Sequence, residues 1–560
     1  MFFVNALLVG FAAHVVAISD AKLGAVASES AVCSRIGTDI LKSGGNAADA
    51  TVATQFCVGV IAMYHSGLGG GGFATVRSKH GTYEFIDFRE MAPAASFQTM
   101  FSPPLSNADY SLYGGLASGV PGEVRGLEYI HKKYGSLPWK RVILPAVKVA
   151  RYGFPVTADL VRYMDTETFM VTDKTWAIDF APNGTRLGVG DTMTRKRYAD
   201  TLETIANEGP DAYYHGHIAE TTIKALQASN GTMTLSDLAN YTTKLRPTVN
   251  IKYRGFKIHT GSAPSSGAVV ASILKIIEGY DMSTPSKLNE SVHYLDEAMR
   301  FGFGQRTLLG DPEFLSNLTI YQEGMHSDAT AAEIRTLIKP DRTLNVSDYN
   351  PSAYQILTDH GTSAVVASDK SGLTISMTST INTKFGSRLM IPETGIIMNN
   401  EMNDFGIPNT INYFGLSASK ANFVEPFKRP LSSIAPVIVE RADGCVYISH
   451  SAAGGSRIIT EVVQHLWHIL DQNMTSAQAL AQPRMHDQLA PNTVSFEWAS
   501  DFQGVKGYDN KTTAYLSSLG SRVSFIAPGS TSGQGLRILP NGTYEAAGDP
   551  RQLNSAGYAV

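Results

Sequence analysis

Apolar and polar positions follow different periods along this chain, and each period predicts a different kind of element. Residues 44–63 read GGNAADATVATQFCVGVIAM and are apolar on most helical faces. Because asparagine is a favoured N-cap residue, Asn46 marks the start of a helix that we expect to be buried on all sides. From residue 362 onward the pattern changes to short β-branched runs between turn residues, which predicts strands. These runs read SAVVAS, LTISMTST and CVYISH.

The region between these two patterns, residues 136–351, is predicted to be mostly helical. A helix start is indicated at Ser136, before Leu-Pro, and Gly153 indicates the end of that helix. Upstream, IDFREMAP at residues 86–93 predicts a strand that runs into a turn. A helical region followed by a strand-rich region indicates the α+β class, but this order alone does not select one layered architecture.

A glycine cluster, GLGGGG at residues 67–72, is superficially similar to a phosphate-binding loop. It has neither the Lys-Ser/Thr pair of a P-loop nor the spaced glycines and downstream acidic residue of a dinucleotide-binding loop. We therefore predict close backbone packing and turns in this segment.

The composition narrows the choice of partner. The chain has 560 residues, of which 43% are hydrophobic and 17% charged, as expected for a compact globular protein. Lysine and arginine total 46, against 50 for aspartate and glutamate. This near balance provides no strong field for capturing nucleic acid or an anionic membrane. We therefore expect a small-molecule partner and no nucleic acid.

The first 18 residues, MFFVNALLVGFAAHVVAI, are mostly apolar and bear on where the protein is located. A short apolar core followed by small residues, here Val15-Val16-Ala17, predicts a secretory signal peptide over residues 1–17 and a secreted or extracytoplasmic protein. No Lys or Arg precedes the apolar core, and an uncleaved membrane anchor is the alternative. His14 and Gly10 weaken a membrane span, which needs about 20 apolar residues.

Asn-x-Ser/Thr tripeptides, the acceptors for N-glycosylation, agree with the secretory route. There are nine of them, at Asn183, Asn230, Asn240, Asn289, Asn317, Asn345, Asn473, Asn510 and Asn541. The chain also has three cysteines, Cys33, Cys57 and Cys445, of which two can pair in an oxidising compartment. We expect Cys445 to be a small buried apolar residue.

The candidate chemistry lies in an ordered set of short motifs in the C-terminal part of the chain. The motifs are Gly361-Thr362, Thr380 with Asn382, NNEMNDF at residues 399–405, RPLSS at residues 429–433 and AAGGSR at residues 452–457. Their order and spacing resemble the γ-glutamyltransferases (γ-glutamyl transpeptidases) of the N-terminal-nucleophile hydrolase superfamily. The resemblance covers nearly the whole chain.

The resemblance implies both the fold and the organisation of the chain. It implies a four-layer αββα sandwich of the α+β class. The precursor of this family cuts itself before a threonine, so residues 18–361 would form a large subunit and residues 362–560 a small subunit of one intertwined heterodimer. A cysteine pair near the N-terminus of eukaryotic members implies a disulfide between Cys33 and Cys57. The family's chemistry needs no metal and no organic cofactor.

A cut before Thr362 would create the catalytic group. A threonine hydroxyl is a poor nucleophile until a base takes its proton. The α-amine freed at Thr362 has an ordinary pKa of about 7.7 to 8.0 and can act as that base, directly or through a water molecule. Gly361, before the cut, tolerates the strained backbone that self-cleavage requires.

The other site residues take their roles from the matching family motifs. Thr380 would hydrogen-bond and position the nucleophile, and the backbone N–H groups of Gly454 and Gly455 would form the oxyanion hole. Arg89 would hold the free α-carboxylate of a γ-glutamyl group, because a guanidinium group pairs with a carboxylate through two hydrogen bonds. The further substrate contacts would be Ser432 and Ser433, as neutral donors, and Asn382, Glu401 and Asp404, as acceptors for the α-ammonium group.

The resemblance therefore predicts an enzyme that cleaves the γ-glutamyl bond of glutathione and related compounds. Water, an amino acid or a dipeptide would accept the γ-glutamyl group. Most members have His and Ser where this chain has Ala364 and Val366, a departure that bears on how fast Thr362 is processed. Two alternatives stay open: a catalytically weak or inactive secreted homologue that binds γ-glutamyl ligands, and another acylase on the same fold.

Overall fold

The computed structural model describes residues 21–102, 107–353, 361–411 and 417–560. The predicted signal peptide, residues 1–17, lies outside the described residues. The α-helices are α1 (Ala31–Lys42), α2 (Ala47–Ile61), α3 (Glu123–Tyr134), α4 (Trp139–Tyr152), α5 (Ala158–Met164), α6 (Phe169–Thr172), α7 (Lys174–Phe180), α8 (Lys196–Glu208), α9 (Asp211–Tyr214), α10 (Gly216–Ala228), α11 (Leu235–Ala239), α12 (Gly267–Ile277), α13 (Leu288–Arg306), α14 (Leu318–Met325), α15 (Asp328–Leu337), α16 (Arg457–Leu470), α17 (Ser476–Leu480) and α18 (Asn510–Ser518). Within the described ranges, none of the helices combines the length and the apolar character that a membrane crossing requires.

The strands fall into two large sheets and two small ones. They are β1 (Gly24–Ser28), β2 (Gly71–Arg77), β3 (Tyr83–Phe88), β4 (Phe154–Pro155), β5 (Thr192–Met193), β6 (Lys244–Arg246), β7 (Thr248–Tyr253), β8 (Phe256–Gly261), β9 (Gly361–Asp369), β10 (Thr374–Asn382), β11 (Val437–Glu440), β12 (Val446–Ala453), β13 (Met485–His486), β14 (Val494–Glu497), β15 (Val523–Ile526), β16 (Ser532–Ile538), β17 (Tyr544–Gly548) and β18 (Ala556–Ala559). The larger sheet has seven strands in the order β18-β1-β9-β10-β2-β3-β6, and the smaller has six in the order β17-β16-β12-β11-β8-β7. Neighbouring strands in both sheets are antiparallel.

The two large sheets pack face to face, and helices cover their outer faces. Helices α1 and α2 pack on the larger sheet with α4 behind α2, whereas α12 and α16 pack on the smaller sheet with α13 behind α12. Each outer interface holds its own apolar core. The layers are therefore helices, sheet, sheet and helices, which confirms the α+β class and the αββα sandwich.

Strand β10 shows why a strand that is buried on both faces still alternates in polarity. Ile375 and Met377 belong to the apolar core between the larger sheet and its helices. Ser376 and Thr378 point to the other sheet, where Ser376 Oγ donates to the carbonyl of His450 at 2.6 Å. Strand side chains alternate between the two faces, so Thr380 also lies on the side of the second sheet.

The predicted helix behind Asn46 is confirmed as α2. The Asn46 side chain accepts hydrogen bonds from the backbone N–H groups of Ala48, at 3.0 Å, and Asp49, at 3.1 Å, and the Asp49 carboxylate accepts from the Asn46 N–H at 3.0 Å. All 15 residues of the helix are buried, as the apolar pattern predicted. A disulfide joins Cys33 of α1 to Cys57 of α2, with the two Cα atoms 5.4 Å apart, and this is the pair that the resemblance implied.

The glycine cluster at residues 67–72 packs backbone against backbone, as predicted. Gly69 forms a parallel bridge with Met398, and Gly71 begins β2. A Cβ atom at Gly70 would clash with the carbonyl oxygen of Thr380. The cluster therefore brings its backbone directly against β10 at the position of Thr380.

Two expectations about the remaining elements need correction. Helix α4 ends before Gly153 as predicted, but strands β6, β7 and β8 interrupt the region that we expected to be mostly helical. Buried and exposed residues alternate along β7. The matching alternation of apolar and polar residues in its sequence, TVNIKY, is typical of a strand, but our sequence-based prediction did not use it. Cys445 is exposed rather than buried, because it lies in the turn between β11 and β12, directly after Gly444.

Candidate active site

The two threonines singled out in the sequence lie side by side in the larger sheet. Gly361 and Thr362 open β9, and Thr362 is the direct partner of Thr380 on β10. Directly opposed residues of an antiparallel pair share one face of the sheet, and the two hydroxyl oxygens are 3.4 Å apart. Both side chains are buried. The pairing of β9 with β10 therefore places the proposed nucleophile next to the hydroxyl group predicted to position it.

The hydroxyl of Thr380 also contacts the peptide bond between Gly361 and Thr362. It donates to the Gly361 carbonyl oxygen at 2.5 Å and accepts from the backbone N–H of Asn382 at 2.8 Å. Asn382 has a φ of +74°, and the pairing of β10 with β9 shifts register between Thr380 and Asn382. This irregularity turns the Asn382 N–H back toward the Thr380 hydroxyl. The Gly361 carbonyl is thus polarised by a hydrogen bond from within the chain.

The glycine pair lies at the same end of the sheets as the two threonines. Gly454 and Gly455 follow the last residue of β12 and have φ values of +122° and +63°, which favour glycine. Thr378 Oγ1 on β10 donates to the carbonyl of Ala452 at 3.1 Å, and Ser376 makes the matching contact two residues earlier on both strands. One further step of two residues places Thr380 level with Gly454 across the gap between the sheets.

Arg89 pairs with Glu401 and Asp404, the carboxylates that the sequence assigned to the same substrate. Arg89 directly follows β3 and is 1% exposed. Its Nη1 donates to Glu401, and its Nη2 donates to Asp404. Burial on its own lowers the pKa of Arg89, but Glu401, Asp404 and Glu90 outweigh this effect and raise the pKa above its ordinary value. The site therefore holds a buried cation balanced by carboxylates.

Two asparagines of the NNEMNDF motif connect this charged cluster to the threonines, and sequence reasoning had given them no role. The Asn382 side chain donates to the carbonyl of Asn400 at 2.9 Å. Asn399 Oδ1 accepts from the backbone N–H groups of Glu401 and Gly119, both at 2.9 Å. Because both asparagines precede Glu401, these bonds fix the start of the turn that carries Glu401 and Asp404.

Ser432 and Ser433 lie in the segment that also contacts Arg89. Arg89 Nε donates to the carbonyl of Pro430 at 3.4 Å. The Ser433 hydroxyl accepts from Arg306 Nη2 at 3.2 Å, and the Ser432 carbonyl accepts from another side chain, Ser266 Oγ, at 2.6 Å. Arg306 was missed in the sequence, because it lies more than a hundred positions from Ser433 and belongs to none of the motifs.

Two buried carboxyl groups behind the site were also missed. Glu90 lies next to Arg89, with Oε2 3.8 Å from Arg89 Nη1, and burial raises its pKa to about 7 although Arg89 opposes the shift. Burial raises the pKa of Glu123 to about 8, against hydrogen bonds from Ser379 and Gln55 that lower it. A carboxyl group with so high a pKa carries its proton over much of the neutral range.

The two departures from the family pattern lie on the same face of β9 as Thr362. Ala364 is the partner of Thr378, and Val366 is the partner of Ser376. Both are buried, and Val366 packs in a small apolar cluster between the sheets. Neither side chain offers a polar atom to Thr362, whereas the Thr380 hydroxyl lies 3.4 Å from the Thr362 hydroxyl.

The described residues thus bring together the hydroxyl group predicted to act as the nucleophile, glycines at a strand end and a buried cluster with charges of both signs. Such a set is suited to acyl transfer from a substrate that carries both a carboxylate and an ammonium group. Of the predicted substrate-binding residues, Arg89, Glu401 and Asp404 are in direct contact. Asn382 is linked to the turn that carries Glu401 and Asp404 through Asn400, and Ser432 and Ser433 follow Pro430, whose carbonyl contacts Arg89.

Comparisons with known proteins point in the same direction. The family model described as gamma-glutamyltranspeptidase matches residues 33–559. A glutathione hydrolase proenzyme of Arthroderma benhamiae is 50% identical over 559 residues, which cover 97% of this chain and 93% of that protein. A glutathione hydrolase of Aspergillus flavus is 46% identical over 544 residues, which cover 96% of this chain and 89% of that protein.

A solved structure supports the fold. The crystal structure of cephalosporin acylase from Bacillus halodurans matches with a TM-score of 0.84 and covers 100% of this chain and 99% of that one. The sequence identity is 24%, so this likeness concerns the fold alone.

Proposed function

The chain belongs to the γ-glutamyltranspeptidase family, and from this premise we propose that it is a self-processing enzyme that cleaves the γ-glutamyl bond of glutathione and related compounds. The observation that carries the proposal is the contact of Thr380 with both Thr362 and the Gly361 carbonyl. It joins the future nucleophile and the bond to be cut in one hydrogen-bonded group.

The first step is the cut between Gly361 and Thr362. The Thr362 hydroxyl attacks the Gly361 carbonyl carbon, and the peptide bond is exchanged for an ester while its nitrogen takes up a proton. The exchange leaves the Thr362 amine free, and water then hydrolyses the ester, which frees the Thr362 hydroxyl and the Gly361 carboxylate. The hydrogen bond from Thr380 stabilises the negative charge that develops on the Gly361 oxygen. The products are the fragments 18–361 and 362–560.

The second stage is acyl transfer by the freed Thr362. Its α-amine takes the hydroxyl proton as the oxygen attacks the γ-carbonyl carbon of the substrate. The Gly454 and Gly455 N–H groups stabilise the tetrahedral oxyanion, and the leaving amine departs with the proton. Water, an amino acid or a dipeptide then attacks the ester and restores the Thr362 hydroxyl. Each of these steps uses side chains and backbone of this chain.

Substrate binding exchanges partners within a buried charge cluster. In the free protein Arg89 is paired with Glu401 and Asp404. A γ-glutamyl group brings its own carboxylate for Arg89 and its own ammonium for the two carboxylates. Every buried charge keeps a partner, which avoids the large cost of an unpaired one. A glutaryl group lacks the ammonium and would leave a carboxylate unpaired, and this favours γ-glutamyl over glutaryl substrates.

The location of the protein belongs to the same proposal. We infer a secreted or extracytoplasmic protein from the apolar leader and from the nine sequons. Eight of the sequon asparagines are exposed and Asn289 is half-buried, so the acceptor side chains are open to modification. Expression in a eukaryotic host tests this point: protein in the medium that shifts in mass on enzymatic deglycosylation supports it, and retention in the cytosol contradicts it.

The central experiment combines N-terminal sequencing with a chromogenic assay. Purified protein should give two bands on a denaturing gel, with a new terminus at Thr362. It should release p-nitroaniline from γ-glutamyl-p-nitroanilide, faster when glycylglycine is present as acceptor. Thr362→Ala should abolish both the cut and the turnover. Thr336→Ala, which changes an exposed helical threonine, is the matched control and should behave as the unaltered protein.

Three results would count against the proposal. A protein that stays uncut on the gel and binds glutamate without turnover would support the inactive homologue. The observation that favours this alternative is the presence of Ala364 and Val366 in place of the family's His and Ser. Faster release from glutaryl-p-nitroanilide than from the γ-glutamyl compound would support another acylase. Activity of Thr362→Ala at the unaltered rate would refute the assignment of the nucleophile.

A further inference from the structure

A buried cluster of metal-binding side chains lies outside the site described above. His450 is on β12, and its side chain faces α16, where Glu461 and His465 are one helical turn apart. One donor atom of each side chain lies within 4.8 Å of the donor atoms of the other two. His450 Nε2 is 2.7 Å from Glu461 Oε2, and all three residues are at most 2% exposed.

The histidines of this cluster have unmet bonding capacity. Both ring nitrogens of His465 and the Nδ1 of His450 are buried and have no hydrogen-bond partner among the described residues. A buried polar atom without a partner is costly, so it calls for a ligand or another explanation.

The neighbouring strand leaves room for the two rings. The rings of His450 and His465 stack with their centroids 3.7 Å apart. On β16, a Cβ at Gly533 would lie 2.8 Å from His450 Cε1, and a Cβ at Gly535 would lie 3.0 Å from His465 Nε2. Any larger residue at these two positions would displace the imidazoles, so the cluster is shaped by its surroundings as well as by its own residues.

We propose that His450, Glu461 and His465 bind one divalent transition-metal ion of the zinc class. Two imidazole nitrogens and one carboxylate oxygen are the donors that such ions prefer. In a tetrahedral site with bonds of about 2.1 Å the donor atoms lie about 3.4 Å apart. The two imidazole rings are stacked, so binding requires them to rotate until a nitrogen of each points at the same ion. The ion replaces the hydrogen bond between His450 and Glu461.

The charges around the cluster leave one carboxylate oxygen for the ion. Glu461 Oε1 accepts from Arg484 Nη2 at 3.0 Å, and Arg484 in turn pairs with Asp549. The second oxygen, Oε2, faces His450. Arg484 adds a positive charge nearby, but Asp549 compensates it, so an incoming cation meets the negative charge of Glu461.

The site would hold together the two arms of the glycine turn. Gly454 and Gly455 lie in the turn between β12 and α16. His450 is on β12, before the turn, and Glu461 is on α16, after it, so both sides of the turn contribute donors. We therefore assign the ion a structural role in fixing this turn, separate from the acyl-transfer chemistry. This departs from the sequence-based expectation, which included no metal.

The test uses the whole protein, purified without an immobilised-metal column. We expect elemental analysis to find about one zinc-class ion per chain. After treatment with a chelator, Co²⁺ should bind with a visible absorption band of a nitrogen- and oxygen-ligated site and should raise the melting temperature.

Two variants probe the donors: Glu461→Gln keeps the shape of the side chain, and His465→Met keeps an apolar body of similar size. Both should weaken Co²⁺ binding at least tenfold.

The control is His293→Gln, which changes another buried histidine, on α13, whose Nε2 hydrogen-bonds the Lys339 carbonyl. It should bind Co²⁺ as the unaltered protein does. The proposal is overturned if the chelated, folded protein binds no Co²⁺, or if both donor variants bind it with unchanged affinity. Without metal, His465→Met should melt at a higher temperature than the unaltered protein. If this difference disappears when Zn²⁺ is added, because the ion stabilises only the unaltered protein, the result would support the site further.

Discussion

At the scale of single residues, the Thr380 hydroxyl would connect the proposed self-cleavage with the proposed catalysis. In the single chain it donates to the Gly361 carbonyl and lies 3.4 Å from Thr362 Oγ1. Once the chain is cut, the Gly361 carbonyl can leave, and the same hydroxyl is then available to the nucleophile. In the proposed mechanism one side chain would thereby serve two consecutive reactions.

Removal of this hydroxyl should slow the cut. Thr380→Val keeps the shape of the side chain but removes the donor to the Gly361 oxygen, and loss of such a donor typically slows acyl chemistry by about 10²–10³-fold. Thr380→Ser should cut at nearly the unaltered rate. The time course of fragment formation on a denaturing gel measures this. Thr374→Val, on the same strand, is the control, and cutting of Thr380→Val as fast as this control would contradict the role.

The change of ion-pair partners that we propose at Arg89 on substrate binding leads to a second prediction about a single residue. Glu401→Gln removes a negative charge that would hold the substrate ammonium. Hydrogen bonds to charged groups contribute about 1.5–3 kcal/mol, so kcat/KM for γ-glutamyl-p-nitroanilide should fall by about 10- to 150-fold. Turnover of glutaryl-p-nitroanilide, which has no ammonium, should not fall. An equal loss on both substrates would indicate damage to the fold rather than to recognition.

At the scale of elements, the site depends on how closely β2, β10 and the turn at residues 399–404 approach one another. Asn399 ties this turn to the glycine cluster, because its side chain donates to the Gly69 carbonyl at 2.7 Å. Gly70 lies against the Thr380 carbonyl. The glycine cluster therefore sets the position of both the threonine pair and the charged cluster.

Gly70→Ala should disturb this approach. The added methyl group would clash with the Thr380 backbone, and overpacking of this kind costs about 1–3 kcal/mol. We expect a lower melting temperature and a smaller processed fraction. Gly324→Ala, in helix α14 with open space around its Cβ, should be neutral or stabilising by up to about 1 kcal/mol. Equal melting temperatures for the two variants would contradict close packing at Gly70.

The same elements show how far the sequence could be interpreted. The apolar stretch behind Asn46 predicted α2, and the β-branched runs predicted β9, β10 and β12, because local patterns decide such elements. The partners of Ser433 and Glu401 were not predictable in this way. Arg306 reaches Ser433 from 127 positions away. Asn399 is close to Glu401 in the sequence, but its role depends on a hydrogen bond from Gly119, 280 positions away, and no local pattern encodes such a contact. The exposed turn at Cys445 was also missed, since burial depends on where a strand ends.

At the scale of the whole molecule, buried carboxyl groups make stability depend on pH. Burial raises the pKa of Glu123 to about 8, whereas an unfolded chain releases this proton near pH 4.3. Between these two values the folded form keeps the proton and the unfolded form does not. The contribution of Glu123 to stability therefore falls as the pH rises through this window, by about 1.4 kcal/mol per pH unit, and levels off above it.

Glu123→Gln should remove this dependence, because an amide has no proton to lose. The melting temperature of the variant minus that of the unaltered protein should increase as the pH rises from 5 to 8. Glu128→Gln, on the same helix and partly exposed, is the control and should show no such gain. Parallel melting curves of the Glu123 variant and the unaltered protein across this pH range would refute a raised pKa in the folded state.

The strand order of the larger sheet has a consequence for the life of the enzyme. In the order β18-β1-β9-β10-β2-β3-β6, β1 lies between β18 and β9, which come from the other side of the proposed cut. Neither fragment can be withdrawn from this sheet without opening three ladders, β18-β1, β1-β9 and β10-β2, and neither contains all of its strands. The strand order therefore favours folding of the uncut chain before the proposed cut. After the cut, a heat-inactivated enzyme would have to recover by association of two chains, and its recovery would fall with dilution.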